Sequence, residues 1–170
     1  MLKEEITQLA KHIHQTVINN RRHLHAHPEL SFKEYNTSAF VKAQLDEMGI
    51  PWNTIANTGV VAIVKGALPS DKVIALRADM DALPVTESNQ VDYASQHEGV
   101  MHACGHDAHT SSLLGTAHIL QSIKHKFGGT VKLIFQPGEE KLPGGASLMI
   151  KEGVLDNPKP HAVIGQHVMP

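Results

Sequence analysis

The chain has 170 residues, enough for one domain with a real hydrophobic core. Fifteen basic and seventeen acidic residues leave a formal charge of −2, which gives no basis for a nucleic-acid partner or an acidic membrane surface. Cys104 is the one cysteine, so an intramolecular disulfide is excluded and a reducing compartment is expected. No long apolar run follows the charged start, so neither a signal peptide nor a membrane span is expected, and the cytoplasm is the default location.

Ile6, Leu9, Ile13, Val17 and Ile18 recur at spacings of three and four, which predicts an amphipathic helix. It should end near His27-Pro28, since proline disfavours helix in the residue before it. Ser31 with Glu34 has the form of a capping box, opening a second helix with Phe40, Val41, Leu45 and Met48 that Gly49 can close in a left-handed turn. Short β-branched runs predict strands over 60–64, 73–76 and 131–135, with a fourth beginning over 162–164. A helix with Leu113, Leu114, Ala117, Leu120 and Ile123 lies between the second and third strands, ended by Gly128-Gly129. A short helix over 146–151 is stopped by Gly153. The alternation of strand and helix predicts an α/β layer with substantial parallel pairing, in one domain or one piece of one.

The polar residues fall at the ends of these elements. Asp79 and Asp81 follow the second strand, Glu139 and Glu140 the third, and His167 the fourth, while Cys104 and His106 lie just before a helix. Open α/β sheets bind ligands beyond the carboxyl ends of their strands, so this edge is the candidate site.

Histidine is the compositional outlier, with 13 residues. In the segment 102–109, Cys104 and His106 offer a thiolate and an imidazole of the kind that hold a divalent transition metal. Residues two apart do not face each other on a helix, so the pair can converge only in the loop or first turn before it, where Gly105 supplies freedom. A helix N-terminus and a cation would both favour the thiolate. Asp107, Asp79 and Asp81 are candidate acceptors to fix the histidine tautomer. Glu139-Glu140 sits on a Pro-Gly turn, where two carboxylates can point to different tasks or form a solvated acidic loop. The case for His167 rests on its place at the same edge. The histidines of 23–27 close a helix and favour a structural role. Cys104 as a nucleophile would need a base and an orienting group, and no cysteine-protease signature surrounds it.

Segments 22–34, 75–84, 102–110, 135–140 and 165–170 occur in this order, and together they closely resemble metal-dependent amidohydrolases of the aminoacylase and carboxypeptidase type. The branch is that of hippurate hydrolase, N-acyl-L-amino-acid amidohydrolase and plant auxin-conjugate hydrolases. The resemblance implies a zinc-peptidase-like α/β catalytic domain, with a central mixed, largely parallel sheet between helices, holding two divalent metal ions, zinc or manganese. It makes Cys104, His106, Glu140 and His167 metal ligands and Glu139 the general base, with Asp79 and Asp81 supporting them. The implied reaction is hydrolysis of an amide in a small N-acyl amino acid or peptide by metal-activated water.

Gly138 stands where relatives often have alanine, a minor departure. The larger one is length. The resemblance implies a lid and dimerisation domain and a returning catalytic segment with a last histidine ligand, none of which is in these 170 residues. Residues 1–170 are therefore expected to be the N-terminal part of the catalytic domain, incomplete, weakly active or inactive, and prone to homo-oligomerise through an open edge. The alternative is a catalytically silent metal-binding or interaction module.

Overall fold

The computed structural model describes residues 2–168, so Met1, and Met169 and Pro170 of the last motif, lie outside the described residues. Helix α1 (Leu2–Ala26) stops ahead of Pro28 as its sequence predicts. Helix α2 (Tyr35–Glu47) ends at Gly49 with φ of 64°. Its start differs from the expectation, because no capping box forms. Glu34 is the N-cap but makes no side-chain cap bond, and its carboxylate points elsewhere.

Strands β1 (Trp52–Ile55), β2 (Gly59–Lys65) and β3 (Leu68–Asp79) follow, then helix α3 (His106–Ser122) and strand β4 (Gly128–Gln136). Gly128-Gly129 begins β4 rather than ending α3, which gives way to a 3-10 turn at Lys124–Lys126. Helix α4 (Gly145–Lys151) and strand β5 (Ala162–Gly165) complete the described chain.

The sheet order is β1-β2-β4-β3-β5. Pairing of β4 with β3 and of β3 with β5 is parallel, whereas β1–β2 and β2–β4 are antiparallel. The sheet is thus mixed, with its parallel part confined to the side that carries the site. Alternation along the strands sends side chains to two layers. Val60, Ala62, Val64, Leu133 and Phe135 pack with Val41 and Leu45 of α2 and Leu113, Leu114 and Ala117 of α3. Ala75 and Ile134 face the other way, against Met149 of α4 and Val154. Helix α1 lies over α3, where a Cβ at Gly115 would come within 2.7 Å of Val17. No helix among the described residues is long and apolar enough to cross a membrane.

Candidate metal centre

Strands β3, β4 and β5 run parallel, so their carboxyl ends share one edge. Asp79 ends β3, with Asp81 just beyond it. Glu139 and Glu140 follow β4 across Pro137-Gly138, and His167 follows β5. His106 is the first residue of α3, and Gly105 before it takes a φ of 80°. That left-handed conformation turns the chain sharply and brings Cys104 to the same space as His106.

His106 is 1% exposed. Its Nδ1 lies 2.8 Å from the carbonyl oxygen of Asp81, which can only accept, so the ring proton sits on Nδ1 and the Nε2 lone pair is free. Nε2 is buried and has no hydrogen-bond partner. Asp79 Oδ2, Glu140 Oε1 and Glu139 Oε2 surround it at 3.5, 3.8 and 4.0 Å. The same logic applies to His167, whose Nδ1 donates to the Val168 carbonyl at 2.6 Å. Its Nε2, left as an acceptor, stands 3.3 Å from the Cys104 thiol, which donates to it. Donor atoms of Cys104, His106 and His167 lie within 4.8 Å of one another, and so do those of His106, Glu139 and Glu140. Two imidazoles with bare lone pairs, a thiol and two carboxylates fit a divalent transition metal.

The electrostatics agree with that fit. Burial first, then Glu140, Glu139 and Asp79, pushes the Cys104 thiol up to about 11. The helix N-terminus alone therefore does not make Cys104 a thiolate, and only a cation among these carboxylates would. Burial disfavours charge on His106, but Asp81 and Asp79 outweigh it and raise its pKa. Both shifts mark a space short of positive charge.

The supporting residues are only partly those anticipated. Asp81 is buried and accepts from Ser31 Oγ at 2.6 Å and from the Glu140 backbone N–H at 3.0 Å. Burial would raise its carboxyl, but hydrogen bonds from His106, Ser31 and the backbone hold it at about 2. Asp79 accepts from Arg77 at 2.6 Å and from His109 at 2.5 Å. Asp107, an expected support, faces away from the donor cluster. It pairs with His25 Nδ1 at 2.7 Å and Arg21 at 2.8 Å, and His25 also meets Glu87 at 3.0 Å. His25 is thus tied to structure.

Two contributors escaped the sequence reading. Glu34, fully buried, accepts from the Gly138 N–H at 2.7 Å, the Phe32 N–H at 2.8 Å and Thr58 Oγ1 at 2.6 Å, fixing the turn that precedes Glu139-Glu140. Gly138, at φ of 53°, lets that turn pass the Phe32 ring, which a Cβ would meet at 2.3 Å. In this chain the glycine is therefore more than a minor departure. His109 is the other missed residue. Its spacing of three from His106 puts both on one helix face, and that was the available signal.

The fold is an α/β domain whose donor set could hold a divalent metal. Residues 75–170 match the model of Peptidase family M20/M25/M40, and the chain belongs to that family. It is 47% identical over 169 residues to an N-acyl-L-amino acid amidohydrolase of Geobacillus stearothermophilus, covering 99% of this chain and 45% of that one. It is 46% identical over 171 residues to an N-acetyl-L-cysteine deacetylase of Bacillus subtilis, covering 99% of this chain and 40% of the relative. A solved Bacillus subtilis structure, a dinuclear metal binding peptidase of the same family, superposes with a TM-score of 0.88 at 44% identity, over 94% of this chain and 44% of that one. The chain thus spans less than half the length of the relatives it matches.

Proposed function

We propose that residues 1–170 form part of the metal-binding catalytic domain of an amidohydrolase acting on N-acyl amino acids or small peptides. The observation that carries this reading is the meeting of the buried, unpartnered Nε2 of His106, the exposed imidazole of His167, a thiol and a glutamate pair at the carboxyl edge of parallel strands. Cys104, His106, Glu140 and His167 would hold two divalent ions, zinc or manganese. Bound there, such ions polarise a carbonyl and make water acidic enough to ionise near neutral pH. Glu139 has the carboxylate for proton transfer. With its side chain 42% exposed, it is open to solvent and substrate while close to His106. It accepts the proton of the water whose oxygen bonds to the amide carbon, and it delivers that proton to the amine as the C–N bond breaks. Asp81 keeps His106 and the Glu140 backbone in place. A cytoplasmic setting accords with the free thiol, and self-association accords with the exposed β5.

A second reading is a catalytically silent metal-binding module. The same donor set would serve such a module without turnover. Elemental analysis of the purified chain, with hydrolysis of hippurate and N-acetyl amino acids in added zinc or manganese, separates the two. Metal with turnover that Glu139→Gln abolishes supports the enzyme. Metal without turnover supports the silent module. Absence of bound metal refutes both for this chain.

A further inference from the structure

His167 has the weakest support of the cluster. It follows β5, whose four residues are all exposed and whose one described neighbour in the sheet is β3. Its ring must nevertheless be held against Cys104. The contacts that hold it converge on Val168. The Val168 carbonyl fixes the His167 ring through Nδ1. The Val168 side chain lies over Gly105, where any Cβ would come within 2.3 Å of Cγ2. The Val168 N–H donates to His109 Nε2 at 2.9 Å.

That last bond determines the state of His109. An amide N–H can only donate, so Nε2 is the bare nitrogen and the ring proton lies on Nδ1. There it faces Asp79 Oδ1 at 2.5 Å, while Asp79 Oδ2 is held by Arg77 at 2.6 Å. Arg77 is itself tied to Gln136 of β4 at 2.9 Å. A line of hydrogen bonds therefore runs from the sheet through Asp79 and His109 to the peptide that carries His167. The His109 and His167 rings stack edge-on at 4.8 Å. His109 also falls in a buried cluster with Asp79 and His106. Both of its nitrogens are already engaged, so it could serve as a metal donor only by releasing Val168 or Asp79.

We infer that His109 is a positioning residue: oriented by Asp79, it latches the Val168 amide and so seats His167 opposite Cys104. This rests on the reading of His167 as a metal donor. The latch itself can be observed without metal.

The test uses the 170-residue chain labelled with nitrogen-15. Hydrogen exchange of the Val168 amide and two-bond proton–nitrogen correlations of the His109 ring are recorded, and zinc affinity is measured by competition with a chromophoric chelator. His109→Asn keeps a donor for Asp79 but is too short for Val168, whereas His109→Gln can reach the Val168 amide with its carbonyl. The expected results are an Nδ1–H tautomer, a protected Val168 amide in the wild type, and exchange at least about tenfold faster in His109→Asn. Zinc binding should weaken by about 10- to 100-fold in His109→Asn and recover in His109→Gln. The loss should not add to that of His167→Ala, because both act on one donor. An unprotected Val168 amide in the wild type overturns the latch. Losses from His109→Asn and His167→Ala that add fully overturn the positioning of His167. A wild type that binds no zinc removes the metal reading alone, and the Val168 exchange data then uphold or overturn the latch by themselves.

Discussion

Replacing Glu34 tests how the turn before Glu139-Glu140 is held. Glu34→Ala leaves the Gly138 N–H buried without an acceptor and strips the half-buried Phe32 N–H of its own. The Thr58 hydroxyl can rotate to another partner. At about 1–3 kcal/mol for each orphaned donor, plus the small cavity, the loss should be about 4 kcal/mol. With an m-value of about 2 kcal/mol/M, the urea midpoint should fall by about 2 M. Glu34→Gln retains one carbonyl oxygen for the two amides and loses only the charge assistance, so it should cost about 1–2 kcal/mol. The pH dependence separates the two further. Burial raises the Glu34 carboxyl, against hydrogen bonds from Thr58, Gly138 and Phe32 that lower it. The native state therefore keeps this proton to higher pH than the unfolded chain. Its contribution to wild-type stability is fully present below the ordinary carboxylate range and is lost as pH rises through the raised value. Glu34→Gln has no such slope, so its deficit should narrow from acid to neutral pH. A Glu34→Ala midpoint within 0.5 M of wild type (about 1 kcal/mol), or a glutamine variant as unstable as the alanine one, would refute the assignment.

Further outcomes follow from the same structure. Phe135→Ala, at a fully buried site between α2 and α3, should lower stability by about 3–5 kcal/mol in urea denaturation, and a loss under 1 kcal/mol would contradict the packing described. Zinc at about 100 times its Kd should stabilise the chain by about 2.7 kcal/mol in thermal scans, and Cys104→Ala with His106→Ala should abolish the gain. Gly105→Ala should cost about 1–3 kcal/mol, because its φ of 80° disfavours a side chain and Val168 must move, and it should weaken metal binding in the chelator assay.

Much of the fold is legible where one force dominates. The α1 stripe, the stop before Pro28 and the left-handed Gly49 come from periodicity and local sterics. The runs that form β2 and β4 are rich in β-branched residues because those strands are covered on both faces, whereas β3 is covered toward its carboxyl end and leaves Ile74 exposed. Strand β1 is not legible, since Trp52–Ile55 sits at the sheet edge with no fully buried residue and lacks the alternation that marks a half-buried strand. The antiparallel β2–β4 pairing depends on long-range register and leaves no local trace. At the site, the donors announce themselves through their chemistry and their places at strand ends. Their supports do not. Glu34 looks like a helix cap because a buried carboxylate and a capping one share the same local spacing. Asp107 looks like a ligand's partner because it adjoins His106, yet one residue along a helix turns a side chain to another face, here toward His25.

The register of β5 also bears on the order in which this molecule can assemble. Val73 meets His161, 88 positions further along the chain, so this strand closes a long loop for little buried surface in return. Such an element docks late and opens cheaply. His167, which follows it, would then be the last of the clustered side chains to arrive and the first to leave. A cation bridging Cys104 and His167 would then act as a clasp on β5, and occupancy by metal would read out, molecule by molecule, whether that strand is docked.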